Sequence, residues 1–143
     1  MTTVNGSADD ARTVAWRIVR AVHRDEAWAG PTVDRALRTS GLDTRDRAFA
    51  ANLAFQTLRW QGTLDWALGH VVRRPLAQVE PGLRDLLRLG AGQLLYGRLP
   101  DRAAVSATVV VGRAQVGART VGCAHGVLRN LARRRADRPW PAA

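Results

Sequence analysis

Apolar residues recur along this chain with the 3.6-residue period of a buried helical face, in about seven runs separated by glycine and proline. The clearest run lies between Leu83 and Leu95. Leu83, Leu86, Leu87, Gly90, Ala91, Leu94 and Leu95 share one face, while Arg84, Asp85, Arg88 and Gln93 fall outside that stripe. Gly90 and Ala91 within it predict close approach by another helix, which offsets the roughly 1 kcal/mol that an interior glycine costs. Gly97 can end the helix, and Leu99-Pro100 forbids its continuation because the residue before proline is pushed out of the α region. Asp101 then caps the next helix, its carboxylate facing the free amides of Ala103 and Ala104.

The other runs read the same way. Ser7-Ala8-Asp9-Asp10 carries a helix-start pattern, and Val14, Ala15, Ile18, Val19 and Val22 continue one stripe to about Arg24. A short helix is predicted over Thr32 to Arg38, after Gly30-Pro31. Asp43 caps a third, with Ala50, Leu53, Ala54, Thr57 and Leu58 on one face and Phe49 beside them. After a break at Gln61-Gly62, Leu64, Ala67, Leu68, Val71 and Val72 form a fourth stripe, ended by Arg73-Arg74-Pro75. Pro81 suits the first turn of the fifth helix, where its missing N–H costs least. The sixth buries Val105, Thr108, Val109, Gly112 and Val116; the seventh buries Ala124, Val127, Leu128 and Leu131. No run alternates with period two, so no sheet is expected. The fold class is an all-α helical bundle of about seven helices, with residues 1–8 as a flexible start, 9–135 as one domain and 136–143 as a disordered tail.

Composition narrows the function. At 143 residues the chain fits one domain. Its apolar runs fall far below the ~18 residues that span a bilayer, and the N-terminus lacks a leader pattern, so a cytoplasmic protein with no membrane role is expected. A single cysteine suits a reducing compartment. All 22 basic residues are arginines: residues 1–50 carry eight against seven acids, and 51–143 carry fourteen against five. Guanidinium groups pair with phosphates and stack on bases, so the C-terminal excess points to nucleic acid. An arginine-only complement is also what a GC-rich coding sequence produces.

The residues offer little catalytic chemistry. Gly90-Ala91-Gly92 has no preceding strand and lies inside a leucine stripe, which makes it a packing feature rather than a phosphate loop. Cys123 and the three histidines lack metal-ligand spacing, and Cys123 reads as a small buried hydrophobe; no metal and no cofactor are expected. Asp46-Arg47 beside Arg59 reads as an internal ion pair. Arg17, Arg20 and Arg24 share a face of the first helix, with Trp16 nearby and Arg12 at its first turn. Arg129 and Arg133 share a face of the last, followed by Arg134 and Arg135. Trp16 or Trp60 beside arginines could stack bases. A helix-turn-helix around Arg59 to Thr63 would offer only His70, Arg73 and Arg74 to a DNA groove.

Three blocks in order resemble the NusB-like domain, and most closely the one at the N-terminus of RsmB-type ribosomal RNA cytosine-5 methyltransferases. They are Leu83 to Val105; Asp46-Arg47-Ala48-Phe49 with Leu58-Arg59 and Leu64-Asp65; and Gly122 to Arg129. Gly92 stands where that family has an aromatic, Arg102 where it has histidine, and His125-Gly126 where it has Asn-Ala. The resemblance implies a NusB-like bundle without the methyl-donor domain, binding RNA, either ribosomal RNA or a transcript leader, in antitermination or rRNA maturation. Such a chain is either a stand-alone factor or the RNA-recruiting piece of a methyltransferase. Together with the charge pattern it implies an RNA surface of Arg12, Trp16, Arg17, Arg20, Arg24, Arg129, Arg133, Arg134 and Arg135. The alternative is a protein-interaction module, self-associating or binding a ribosomal or transcription-factor partner; the oligomeric state is not legible in the residues.

Overall fold

The computed structural model describes residues 7–25 and 28–135. The expected flexible start and disordered tail span 1–8 and 136–143, of which all but residues 7 and 8 lie outside the described residues. Seven α-helices fill what is described: α1 (Ser7–Asp25), α2 (Ala29–Arg38), α3 (Thr44–Arg59), α4 (Gln61–Gly69), α5 (Pro81–Tyr96), α6 (Asp101–Gln115) and α7 (Ala118–Arg135), with one 3₁₀ turn at Leu76–Gln78. No strand occurs among them.

The centre of the bundle is α5, which packs against α1, α3, α4, α6 and α7. Its leucines serve two cores. Leu86, Leu87 and Leu94 join Leu64, Leu68, Leu128 and Leu131 on the α4, α6 and α7 side. Leu89 joins Ile18, Val19, Val33 and Leu53 on the α1 to α3 side. The predicted stripe therefore covers only one of two buried faces, and Asp85, Arg88 and Gln93, outside it, are buried as well. A helix enclosed on all sides must bury its polar positions too.

Small residues set the helix spacing. A Cβ added at Gly90 would lie 2.6 Å from Cδ1 of Leu128, and one at Gly112 would lie 2.6 Å from Cδ2 of Leu86. Both glycines admit a leucine from the neighbouring helix where any side chain would collide with it.

Several boundaries differ from expectation for local reasons. The second helix starts at Ala29, because Pro31 falls in its first turn, where no N–H is needed. Asp43 does cap α3, its Oδ1 accepting from the Asp46 amide at 2.9 Å. The break before α4 is at Trp60, and Gly62 is helical. That helix stops at Gly69, so Val71 and Val72 reach the core from the following connector. Glu80, not anticipated, caps α5 by accepting from the amides of Gly82 and Leu83, each at 2.9 Å. Asp101 is not a cap: it is the first residue of α6, and Pro100 precedes it without a side-chain cap. Val116 is only half-buried, and Val127 likewise. Cys123 is exposed, contrary to its reading as a core residue.

Candidate nucleic-acid interface

The arginines of α1 divide by helical phase. Arg12 is 6% exposed; its Nε donates to Gln93 Oε1 at 2.8 Å, and its guanidinium lies 4.9 Å from the centroid of Phe49. Trp16 is half-buried, with Nε1 donating to the Gly82 carbonyl at 3.1 Å. Arg20 donates to Asp85 Oδ2 at 3.0 Å. These three are committed to the interior. Arg17 and Arg24 are exposed: Arg17 reaches Gln115 at 3.5 Å, and Arg24 pairs with its neighbour Asp25. The shared face expected for Arg17, Arg20 and Arg24 is thus split between the bundle and solvent.

Asp85 organises a polar cluster that pattern reasoning missed. Its carboxylate, 1% exposed, takes hydrogen bonds from Arg20 and from Arg88 Nη1, both at 3.0 Å, and meets His23 Nδ1 at 2.8 Å. Arg88 also forks onto Asp65, at 2.7 and 2.9 Å, and His23 Nε2 touches Gln61 Oε1 at 2.6 Å. Burial pushes the Asp85 pKa upward, but hydrogen bonds from His23, Arg20 and Arg88 outweigh it and hold the group below the ordinary carboxylate value. Burial likewise pulls Arg88 down, and Asp65 and Asp85 together hold it above its usual value. The cluster ties α1, α4 and α5 together and leaves no charge there for a ligand. The ion pair expected among Asp46, Arg47 and Arg59 does not form among the described residues; Arg59 instead lies 5.5 Å from the ring centroid of Trp60.

At the other end, α7 lies against α6 and presents Arg129 and Arg133 outward in its C-terminal half. Arg134 donates to the His70 carbonyl at 3.2 Å; Arg135 donates to the Leu94 carbonyl and, at 2.7 Å, to Asp101. Both anchor the helix end. Arg129 and Arg133 are exposed and meet Arg102 and Arg113 of α6, with His125, around a groove of about 480 Å³. Val105 and Val109 line it too. Among the described residues the one carboxylate on this groove, Asp101, already holds Arg135. Arg102, Arg113 and His125 were not anticipated; the eleven-residue spacing that puts Arg102 and Arg113 near one face of α6 is visible in the sequence, but its alignment with α7 is not.

A second groove, of about 700 Å³, opens on the other side of Arg133, between α7 and the connector after α4. Val71, Val72, Val79, Leu83, Leu87 and Val127 make it apolar, with Arg73, Arg74 and Arg133 at its edge and Cys123 within it. No group of three His, Cys, Asp or Glu among the described residues is placed to hold a metal. Among them, too, no helix is long and apolar enough to cross a membrane.

The described residues form an all-α bundle built round one enclosed helix, with arginines gathered on an α6–α7 groove. Residues 9–133 match the NusB family, and the chain belongs to it. It is 39% identical over 132 residues to a protein of Mycobacterium tuberculosis that bears a provisional methyltransferase name, covering 92% of this chain and 29% of that protein. Ribosomal RNA small subunit methyltransferase B of Yersinia enterocolitica is 30% identical over 126 residues, covering 88% and 29%. The chain thus spans about 29% of the length of these curated relatives. Among solved structures, a chain from an antitermination NusB–NusE complex with double-stranded RNA superposes with TM-score 0.83 at 14% identity, over 92% of this chain and 99% of that one. T. maritima NusB superposes with TM-score 0.79 at 15% identity, over 93% of each.

Proposed function

We propose that this NusB-family chain binds RNA through the α6–α7 groove and delivers ribosomal RNA to a methyltransferase activity. The observation that carries the reading is the convergence of Arg102, Arg113, Arg129 and Arg133 on one groove whose single carboxylate among the described residues is already paired. Four guanidinium groups can follow a phosphate backbone, and the apolar floor suits the sugar and base faces of a single strand. The methyltransferase context rests on the relatives, which are roughly three times as long and named for that chemistry. Arg17 and Arg24 extend the surface only as peripheral phosphate contacts; Arg12, Trp16, Arg20, Arg134 and Arg135 act by holding the fold.

Fluorescence anisotropy with single-stranded RNA at several salt concentrations tests this. The expected outcome is affinity that falls with salt, and a slope smaller by about 1.4 when Arg129 and Arg133 are both alanine, one contact being worth about 0.7 for a single strand. Absence of binding by the parent at low salt would overturn it. A second reading is favoured by the apolar groove beside Arg73 and Arg74, which has the character of a protein-docking surface. NusB binds NusE in the structural relative, and a ribosomal or transcription protein is the corresponding partner class here.

A further inference from the structure

Between α1, α3 and the loop that joins α5 to α6 lies a small cavity of about 150 Å³. Three of its wall residues, Phe49, Asn52 and Gln56, stand at i, i+3 and i+7 on one face of α3. Phe49 keeps 37% of its surface exposed, with the Arg12 guanidinium against its ring. Among the described residues no hydrogen bond engages the side-chain amides of Asn52 or Gln56, whereas Gln93 in the same wall is fully engaged with Arg12, Leu89 and Thr108. Arg98 stands on the loop side of the opening. The first neighbour that a Cβ at Gly92 would meet is Gln56 Oε1, at 3.5 Å, an ordinary contact. Packing at the Cβ therefore does not demand glycine at 92.

We infer that this cavity takes a single unpaired nucleobase from an RNA strand that crosses the α5–α6 loop. An aromatic face, two free amides and a guanidinium at the rim are the components that recognise a splayed-out base: stacking, edge hydrogen bonds with both donors and acceptors, and a phosphate contact. The loop supplies the path. Gly97, Arg98 and Leu99 line this cavity, while Asp101 and Arg102, the next residues but one, line the α6–α7 groove. A strand with its phosphates on Arg102 and Arg129 has only to pass over Pro100 to place a base between Phe49 and the amides. The volume suits one planar heterocycle and not a folded peptide segment.

This inference rests on the RNA-binding reading, and the experiment separates the two. Side-chain amide resonances of Asn52 and Gln56 are followed by NMR while uridine or adenosine 5′-monophosphate, then ribose 5-phosphate, is added. The expected result is a saturable shift with a nucleotide and none with ribose 5-phosphate. In parallel, a single-stranded RNA should bind the Asn52→Ala/Gln56→Ala variant about ten-fold more weakly than the parent, the loss of two hydrogen bonds, with its salt slope unchanged. Equal shifts with ribose 5-phosphate would make the cavity a phosphate contact and overturn the base assignment. Parent-like RNA affinity in the folded double variant would remove the cavity and leave the arginine groove standing. A parent that binds no RNA, and whose amides ignore the nucleotides, would remove both.

Discussion

Arg17 and Arg20 are alike in sequence and opposite in consequence. Arg20 holds a carboxylate that is 1% exposed, so Arg20→Ala should lower stability by about 1–3 kcal/mol, while exposed Arg17→Ala should stay within about 0.5 kcal/mol. Urea denaturation of the two variants checks this, and equal midpoints would mean that Arg20 contributes nothing. Asp85 gives the pH counterpart. Its pKa in the folded chain lies below the ordinary value of 3.8, so the carboxylate's contribution is complete above that value and is lost as pH falls through the folded one. Asp85→Asn should cost about 3 kcal/mol at pH 7 and less at acid pH, because the parent loses the same charge there. A difference between parent and variant that holds constant down to pH 3 would contradict the direction of that shift.

At the scale of elements, α5 makes the bundle by being enclosed on every side. Its start is specified twice, by Pro81 in the first turn and by the Glu80 carboxylate on two amides. Its middle is specified by Gly90, which lets α7 come close enough for Leu128 to sit against its backbone. Gly90→Leu should therefore separate α5 from α7, at a cost of about 1–3 kcal/mol or more, with RNA binding lost only as the α6–α7 groove distorts. Thermal melting alongside RNA titration distinguishes this from a direct effect: a variant with parent-like stability but no RNA binding would mean that Gly90 touches the ligand. Helix boundaries were legible at Asp43 and Pro81, where a residue type with a strong positional preference acts on its own backbone, and not at Glu80, a type less favoured as a cap. Nor were they where a neighbour competes for the side chain, as at Asp101, whose carboxylate goes to Arg135.

For the molecule as a whole, the formal charge of +10 acts on folding and binding in opposite senses. Self-repulsion among exposed arginines weakens the compact state at low ionic strength, and salt relieves it. The same salt competes with phosphates for those arginines. Raising sodium chloride from about 10 to about 150 mM, over which the screening length falls to roughly 8 Å, should raise the melting midpoint while lowering affinity for RNA. A midpoint that falls with salt would show that the exposed pairs, such as Arg24 with Asp25, outweigh the repulsion.

Sequence alone determined the all-α class, the family, the existence of each helix and the leucine face of α5. These follow from period, from glycine and proline, and from side chains that act on their own backbone. It also determined that the charge excess is C-terminal, because composition does not depend on packing. Only the tertiary structure decided which arginines serve it. Arg12, Arg20 and Arg88 have the same chemistry as Arg17, Arg102 and Arg129, but the first three meet the interior polar groups Gln93, Asp85 and Asp65, while the others face solvent. A single helix's periodicity identifies one buried face; whether a second is buried, and which carboxylate a guanidinium finds there, depends on the neighbours that pack against it.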